Sequence, residues 1–329
     1  MRIRRHALVA AALCLALAGC GSSANDPQPV AGSPAASGEA LPAGTDEPVG
    51  LSATQLPAPS PTAGPRAPTK TFAIGTRSLS LSRSGRSLPT TVWYPATSKG
   101  SNTPVAAGVF PVLVFSHGLN GLPEYYQQLT TRFAAAGFVV AAPAYPFTKK
   151  GASPFNAGDM GNQPADASYV VTKVLELNTR SGDRFAGHLD GSHVGAAGHS
   201  AGGFTTAGML ASGKRDTRIK AGIVIAGGPM GTFSGPRTPV LFVHGDKDGT
   251  VSWATGHNAY AKLSWPKAFL TEIGQGHGEY LGPGAKGFDQ MMRTMLDFLR
   301  WALYGDTTAK GRLAKGAVTS GVTRYESKL

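Results

Sequence analysis

Long apolar runs alternate with segments of helical periodicity between residues 71 and 305. Two opening strands, 71–82 and 87–95, can form a hairpin through the turn RSGR, and later runs of strand length lie at 110–117, 138–143, 194–200, 219–227, 239–245 and 267–274. Strands that are apolar on both faces are typical of parallel sheets covered by helices. The pattern therefore predicts one α/β domain, with a mostly parallel central sheet and helices on both faces.

Helical segments fill the intervals between these strands, at 123–137, 164–178, 201–213, 253–263 and 288–305. The first places Tyr126 and Phe133 on one face and stops at a glycine. Gly305 stands just past the end of the last helix. The residues after it, 306–329, are rich in lysine and glycine, and we expect them to form a flexible basic tail.

The N-terminus has the layout of a secretion signal. A basic start, MRIRRH, precedes an apolar run that is too short to span a membrane. The run ends in Leu17-Ala18-Gly19-Cys20, which resembles a bacterial lipobox, with residues 1–19 as the signal peptide and Cys20 as the lipid site. The alternative is an ordinary signal peptide with an incidental cysteine. We expect an exported lipoprotein that is anchored to the membrane through Cys20.

Residues 20–70 read as a tether between this anchor and the domain at 71–305. Of the 50 residues from 21 to 70, 32 are Pro, Ala, Gly or Ser, and none is aromatic. Such a segment cannot bury enough apolar surface to offset its ordering entropy. The only other cysteine, Cys14, lies in the signal, so the domain has no disulfide and must be stabilised by its core.

The net charge is +12, from 31 Lys and Arg against 19 Asp and Glu. A basic protein can bind nucleic acid, but the basic residues here are scattered and form no patch interleaved with aromatic residues. We therefore expect no nucleic-acid partner, and the charge indicates a soluble basic surface. We expect the domain to be a monomer.

The motif G-x-S-x-G occurs as Gly198-His199-Ser200-Ala201-Gly202, between an apolar strand and a helix. At such a turn the serine backbone is strained, its Oγ projects outward, and the helix N-terminus favours negative charge. Side chains at Gly198 and Gly202 would collide with neighbouring elements. The alternative is a glycine-rich turn with a capping serine, but the strand–turn–helix context favours Ser200 as a nucleophile.

A serine nucleophile needs a base and an orienting carboxylate. His277 lies in the loop GQGHGEY directly after the strand at 267–274, whereas His257 lies within a predicted helix. A loop at a strand end suits a base that must reach the serine, so we favour His277. The carboxylate is sought in HGDKDGTV, where Asp246 and Asp248 admit three interpretations: a metal site, a solvated turn or a catalytic acid.

An oxyanion hole is the remaining requirement for acyl transfer. One donor should be the backbone N–H of Ala201, directly after the nucleophile. The second should come from the loop His117-Gly118-Leu119-Asn120-Gly121, as the N–H of Leu119. A simple turn is the alternative for this loop. Further candidates for substrate contact are the side chains of His199, Met230, Phe233 and Phe147.

Together the segments FSHGLNG, GHSAGG, HGDKDGTV and GHGEY resemble the α/β-hydrolase superfamily over roughly residues 75 to 303. The superfamily's G-x-x-D spacing from Gly245 implies Asp248 as the triad acid, which leaves Asp246 as a turn former. LPTTVWYP and NQPADASYVV are similar to dienelactone-hydrolase-like and platelet-activating-factor-acetylhydrolase-like serine esterases, which border the lidless cutinases and polyester hydrolases. This chain has Ser200 where dienelactone hydrolases have cysteine, and it lacks the disulfide usual in bacterial polyester hydrolases.

The resemblance implies a serine carboxylesterase that acts through an acyl-enzyme and needs no metal or organic cofactor. About a dozen residues separate the strands at 219–227 and 239–245, too few for a large cap domain. We expect an accessible site that takes exogenous short- or medium-chain esters. Three alternatives stay open: a polyester hydrolase, an acyltransferase of cell-envelope glycans, and a non-enzymatic surface binding protein.

Overall fold

The computed structural model describes residues 66–329, and the predicted signal peptide, Cys20 and most of the tether lie outside them. One ten-stranded sheet organises this part of the chain. Its strands are β1 (Ala73–Arg83), β2 (Arg86–Ala96), β3 (Gly100–Ser101), β4 (Phe110–Ser116), β5 (Val139–Pro143), β6 (Leu189–His199), β7 (Ile219–Ile225), β8 (Val240–Gly245), β9 (Lys267–Glu272) and β10 (Thr323–Lys328). The helices are α1 (Gln127–Ala135), α2 (Gln163–Glu176), α3 (Ala201–Gly208), α4 (Trp253–Lys262), α5 (Phe288–Tyr304) and α6 (Thr307–Ala317).

The strand order is β10-β9-β8-β7-β6-β4-β5-β2-β1-β3. The six strands from β9 to β5 in this order pair in parallel, while β2 joins β5 and β10 joins β9 antiparallel. The α/β architecture with a mostly parallel central sheet, predicted from the apolar runs, is confirmed. In parallel sheets the carboxyl ends of the strands meet at one edge, and the loops after β4, β6, β8 and β9 therefore come together.

Helices cover both faces of the sheet. Along β4, Leu113 and Phe115 pack with α1 and α5, whereas Val114 packs in the separate cluster beneath α2 and α3. All of these side chains are fully buried. Because successive strand residues point to opposite faces, a strand buried on both sides must be apolar throughout, which is the pattern read from the sequence.

The expectation of a flexible tail over residues 306–329 is wrong. These residues form α6, which packs on α5, and β10, which pairs with β9 as the edge strand. Ala309, Leu313 and Ala317 recur every four residues and are buried, while the side chain of Asp306 accepts a hydrogen bond from the Ala309 N–H and caps the helix. The lysines and glycines occupy the other face and obscure this apolar stripe.

The folded region also begins earlier than the predicted boundary at residue 71. The carbonyl of Pro68 accepts a hydrogen bond of 2.8 Å from Arg300 in α5. The last residues of the predicted tether therefore lie against the domain. Between residues 66 and 329 there is no helix long and apolar enough to cross a membrane.

Candidate active site

Ser200 lies on the sharp turn between β6 and α3, with φ 58° and ψ −122°. This conformation is unfavourable for a residue with a side chain and survives only where the surroundings enforce it. A Cβ on Gly202 would lie 1.9 Å from the Ser116 carbonyl oxygen, and one on Gly198 would lie 2.3 Å from the Gly202 oxygen. Both glycines are thus required for the close packing of strand and helix that holds Ser200 in place.

The structure brings Ser200, His277 and Asp248 together from the loops after β6, β9 and β8. His277 Nε2 lies 2.8 Å from Ser200 Oγ, and His277 Nδ1 lies 2.8 Å from Asp248 Oδ2. The carboxylate can only accept, so Nδ1 carries the proton and Nε2 accepts from the serine hydroxyl. This is the arrangement needed to remove the proton from Ser200.

Four hydrogen-bond donors surround the carboxylate of Asp248. Oδ1 accepts from the N–H groups of Thr250 and Val251, at 2.8 and 2.9 Å. Oδ2 accepts from His277 and, at 3.1 Å, from Nε2 of the buried His244. Burial alone would raise the pKa of Asp248, but the hydrogen bonds from His277 and from the Val251 and Thr250 N–H groups outweigh it and hold the pKa below its ordinary value. Asp248 is therefore a stable anion under His277.

Asp246 takes no part in this arrangement. Its Oδ1 accepts from the N–H of Gly274 at 2.7 Å, and its Oδ2 lies 3.6 Å from Arg324 of β10. It therefore ties the loop after β8 to the start of the loop that carries His277, rather than shaping its own turn. Across residues 66–329, no group of three or more His, Cys, Asp or Glu side chains is arranged to hold a metal ion.

Ala201 is the first residue of α3, so its backbone N–H has no acceptor within the helix, and the Leu119 N–H makes no backbone hydrogen bond within residues 66–329. Gly118, which precedes Leu119, lies close to the nucleophile: a Cβ on it would be 3.1 Å from Ser200 Cβ. The Gly118 carbonyl accepts from the Gly121 N–H at 3.0 Å and from His117 at 2.7 Å. Because the peptide unit is planar and trans, the Leu119 N–H points away from these donors and is held in a fixed direction.

His117 is a buried support of this loop. Its Nε2 accepts from the Tyr145 N–H at 3.0 Å, so its Nδ1 carries the proton that is donated to Gly118. Burial lowers the pKa of His117 to about 4. The ring is therefore neutral at physiological pH, and its tautomer is set by the two backbone partners.

His199 lies directly against His277, with ring centroids 4.8 Å apart. Its Nε2 lies 2.7 Å from the His277 carbonyl oxygen, and its Nδ1 lies 2.9 Å from the hydroxyl of Tyr126. Burial lowers the pKa of His199 to about 4. A neutral neighbour does not oppose the charge that His277 acquires when it accepts a proton.

The other three predicted substrate contacts have packing partners outside the triad. Met230 packs against Gly208, at the far end of α3 from Ser200. Phe233 packs edge-on against Trp265 and lines a separate cavity of about 300 Å³. The guanidinium of Arg86 lies over the Phe147 ring, with Arg86 Cζ 5.4 Å from the ring centroid. Each position is explained by local packing.

Sequence reasoning did not identify Tyr126, His117 or His244 as parts of this site. Tyr126 was read as one apolar position on a helix, and its hydroxyl left no signal in the pattern. His117 was named only as the first residue of the oxyanion loop and His244 only as the first residue of HGDKDGTV, with no role for either side chain. The spacing of four residues from His244 to Asp248, across a strand end, was the available indication.

The sequence model of the chlorophyllase family matches residues 69–239, more than half of the 329-residue chain. The chain belongs to the chlorophyllase family. This is an α/β-hydrolase-type esterase family, so the family of the chain agrees with the superfamily expected from the motifs. The match includes Leu119 and Ser200 and ends before Asp248 and His277, which are placed by geometry. A comparison with curated proteins found no match, and the narrower resemblance to dienelactone-hydrolase-like and platelet-activating-factor-acetylhydrolase-like esterases stays a prediction.

Proposed function

We propose that the protein is a serine-dependent carboxylic ester hydrolase that works through an acyl-enzyme. The observation that carries this proposal is the pair of 2.8 Å hydrogen bonds that link His277 to Ser200 and to Asp248. Family membership supports ester cleavage, and the geometry supports the assignment of the individual roles.

In the first half of the reaction, Ser200 Oγ attacks the ester carbonyl carbon while His277 Nε2 takes the hydroxyl proton. The Leu119 and Ala201 N–H groups stabilise the negative charge that develops on the carbonyl oxygen. The tetrahedral intermediate then collapses, the bond to the alcohol oxygen breaks, and His277 returns the proton to the leaving alcohol. The acyl group stays on Ser200 as an ester.

In the second half, a water molecule attacks the acyl carbon and passes its proton to His277. Collapse releases the carboxylic acid and returns the proton to Ser200 Oγ. Asp248 stabilises the imidazolium in both halves and keeps Nδ1 protonated. Burial lowers the pKa of both His244 and His199, so these neighbours are neutral and add no positive charge that would oppose protonation of His277.

A cavity of about 310 Å³ adjoins the triad, and its lining indicates that the substrate group bound there is uncharged. It includes His199, which precedes Ser200, and Gly278, which follows His277. Its other lining residues are Tyr125, Tyr126, Gln128, Leu129, Leu281 and Gly282. The absence of a charged side chain from this lining favours an apolar or aromatic group, as in short- or medium-chain esters.

A panel of p-nitrophenyl esters of increasing acyl length tests the proposal with the full-length chain and Ser200→Ala as the matched control. We expect turnover that depends on Ser200 and declines once the acyl chain outgrows the cavity. Because the family name refers to chlorophyll, a chlorophyll belongs in the panel as a separate substrate. Wild-type protein without Ser200-dependent turnover on any ester would contradict the proposal.

Polyester hydrolysis is a second candidate, favoured by exposed apolar side chains beside the nucleophile. Leu119 is 43 % exposed and Tyr125 is 54 % exposed, so a polymer surface could contact both. Clearing of an emulsified aliphatic polyester film by wild type, and its loss in Ser200→Ala, would support this extension. Ester turnover without clearing would restrict the enzyme to soluble esters.

We also propose that the enzyme is exported and held at the membrane by a lipid on Cys20. The basis is the sequence of residues 1–20, which lie outside the described part of the chain. Cys20→Ala should release the protein from the membrane fraction into the soluble fraction. Unchanged fractionation of that variant would contradict lipid anchoring.

A further inference from the structure

A continuous series of hydrogen bonds joins the oxyanion loop to the loop of His277. The Gly118 N–H lies 3.1 Å from the Tyr126 hydroxyl oxygen. That hydroxyl lies 2.9 Å from His199 Nδ1, and His199 Nε2 lies 2.7 Å from the His277 carbonyl oxygen. Two side chains that take no part in the reaction steps thus connect the two segments that supply the oxyanion donor and the base.

Only one assignment of protons satisfies this series. The His277 carbonyl can only accept, so His199 Nε2 carries a proton, and Nδ1 of the neutral ring must then accept from the Tyr126 hydroxyl. The hydroxyl oxygen in turn accepts from the Gly118 N–H. Every bond has one donor and one acceptor and runs in the same direction, from Gly118 to His277.

The side chains of Tyr126 and His199 form a hydrogen-bonded bridge between the two loops. This bridge is anchored in the core and lies against the nucleophile. The Tyr126 ring packs against buried Phe115, with centroids 5.1 Å apart, and Tyr126 and His199 are only 9 % and 8 % exposed. A Cβ on Gly118 would lie 3.1 Å from Ser200 Cβ and 3.2 Å from the Tyr126 hydroxyl. A shift of the bridge would therefore move the Gly118–Leu119 segment relative to Ser200.

We propose that Tyr126 and His199 are positioning residues that hold the Leu119 N–H and the His277 imidazole in register with Ser200. This inference rests on the proposed ester hydrolysis. A misplacement of about 1 Å costs on the order of 10²-fold in rate, and a lost oxyanion donor costs on the order of 10²–10³-fold. The bridge acts on groups that are needed in the transition state, so its loss reduces kcat more than it changes KM.

The test compares Tyr126→Phe, His199→Phe and the double variant in the full-length chain. Tyr126→Phe keeps the ring and removes the hydroxyl, and we expect kcat to fall about tenfold to a hundredfold with KM within about threefold. Because both substitutions break one bridge, the double variant should lie within about threefold of the worse single variant. His199→Gln retains an amide that can donate and accept, and it should recover part of the activity lost in His199→Phe.

The matched control is Tyr94→Phe, which removes a buried hydroxyl that donates to the Thr103 carbonyl at 2.7 Å, far from the triad. We expect its kcat to stay within about twofold of wild type. Tyr126→Phe with an unchanged kcat, or a double variant whose losses multiply, would overturn the positioning role. So would a His199→Gln variant no better than His199→Phe.

A fluorophosphonate probe separates this inference from the proposed function. Phosphonylation of Ser200 uses the same base and oxyanion donors, so its rate should fall in Tyr126→Phe together with kcat. If Tyr126→Phe is labelled at the same rate as wild type, the positioning role of the bridge is wrong, while the proposed serine hydrolase activity stands. Wild type that neither turns over an ester nor reacts with the probe would overturn both proposals.

Discussion

Glu272 is a buried carboxyl group at the end of β9, and neither of its oxygens has a hydrogen-bonding partner among residues 66–329. Its side chain is fully buried, and Oε2 lies 1.8 Å from where a Cβ on Gly287, the residue before α5, would stand. Burial raises the pKa of Glu272 from 4.5 to about 8, and the charge of Lys286 acts against this. Glu272 is therefore protonated in the folded protein at neutral pH.

The pKa shift sets the size and sign of a dependence of stability on pH. A shift from 4.5 to about 8 corresponds to about 5 kcal/mol, at about 1.4 kcal/mol per unit. Between the two pKa values the unfolded chain has released a proton that the folded chain retains. The contribution is therefore fully present below pH 4.5 and is lost as the pH rises through 8.

Urea unfolding of wild type and Glu272→Gln, from about pH 5 to about pH 9, measures this effect. Glutamine cannot titrate, so the wild-type free energy of unfolding should fall relative to the variant by about 4 kcal/mol across this range, because about three pH units at about 1.4 kcal/mol each separate pH 5 from the folded pKa of about 8. His117 and His199, with pKa values of about 4, change stability in the opposite direction below pH 6.5. Their effect is common to both proteins and cancels in the difference.

The matched control is Glu176→Gln, which removes an exposed carboxylate paired with Lys173. Its difference from wild type should stay within about 0.5 kcal/mol over the whole range. A wild-type minus Glu272→Gln difference that is constant with pH, or that rises, would refute the conclusion that Glu272 is neutral in the folded state.

Three further predictions follow from the site and its frame. Asp248→Asn should lower kcat by about 10⁴-fold, because the wrong tautomer of the base is favoured. Asp246→Asn should leave kcat within about tenfold and mainly lower the melting temperature. The reverse pattern in ester turnover would exchange the roles of the two aspartates. Gly202→Ala should abolish stable folding, because its Cβ would lie 1.9 Å from a backbone oxygen, while Gly249→Ala, with no atom within 4 Å, should be neutral; equal melting temperatures would contradict the packing argument. Removal of residues 306–329 should lower stability by several kcal/mol, because α6 and β10 cover α5 and the edge of β9; an unchanged melting temperature would show that they are dispensable.

The strands and helices between residues 71 and 305 were largely predictable from the apolar pattern. The central strands are buried on both faces, so their sequences carry no polar positions, and glycines mark several of the turns between elements. Residues 306–329 were misread because their apolar positions are single and spaced among lysines. These residues form ordered structure through their contacts with α5 and β9, and a local sequence pattern does not report such contacts.

The triad was predictable because its chemistry restricts residue types and chain order. Ser200 was marked by the glycines that its turn demands, and His277 by a loop at a strand end. The choice between Asp246 and Asp248 came from a resemblance, and the structure places Asp248, not Asp246, against His277. The packing of Phe233 against Trp265 was visible only in the structure.

The α/β layering and the chain order of the reacting residues could be inferred from local sequence, because burial on two faces and a tight serine turn restrict which residues fit there. The side chains that hydrogen-bond to the reacting residues and their loops were visible only in the fold. His199 and His244 are ordinary buried histidines in the sequence, and Tyr126 is an ordinary helix-face residue. The hydrogen bonds of His199 to Tyr126 and to His277 join residues that are 73 and 78 positions apart in the chain. They depend on how the strands are ordered in the sheet, which no local sequence pattern specifies.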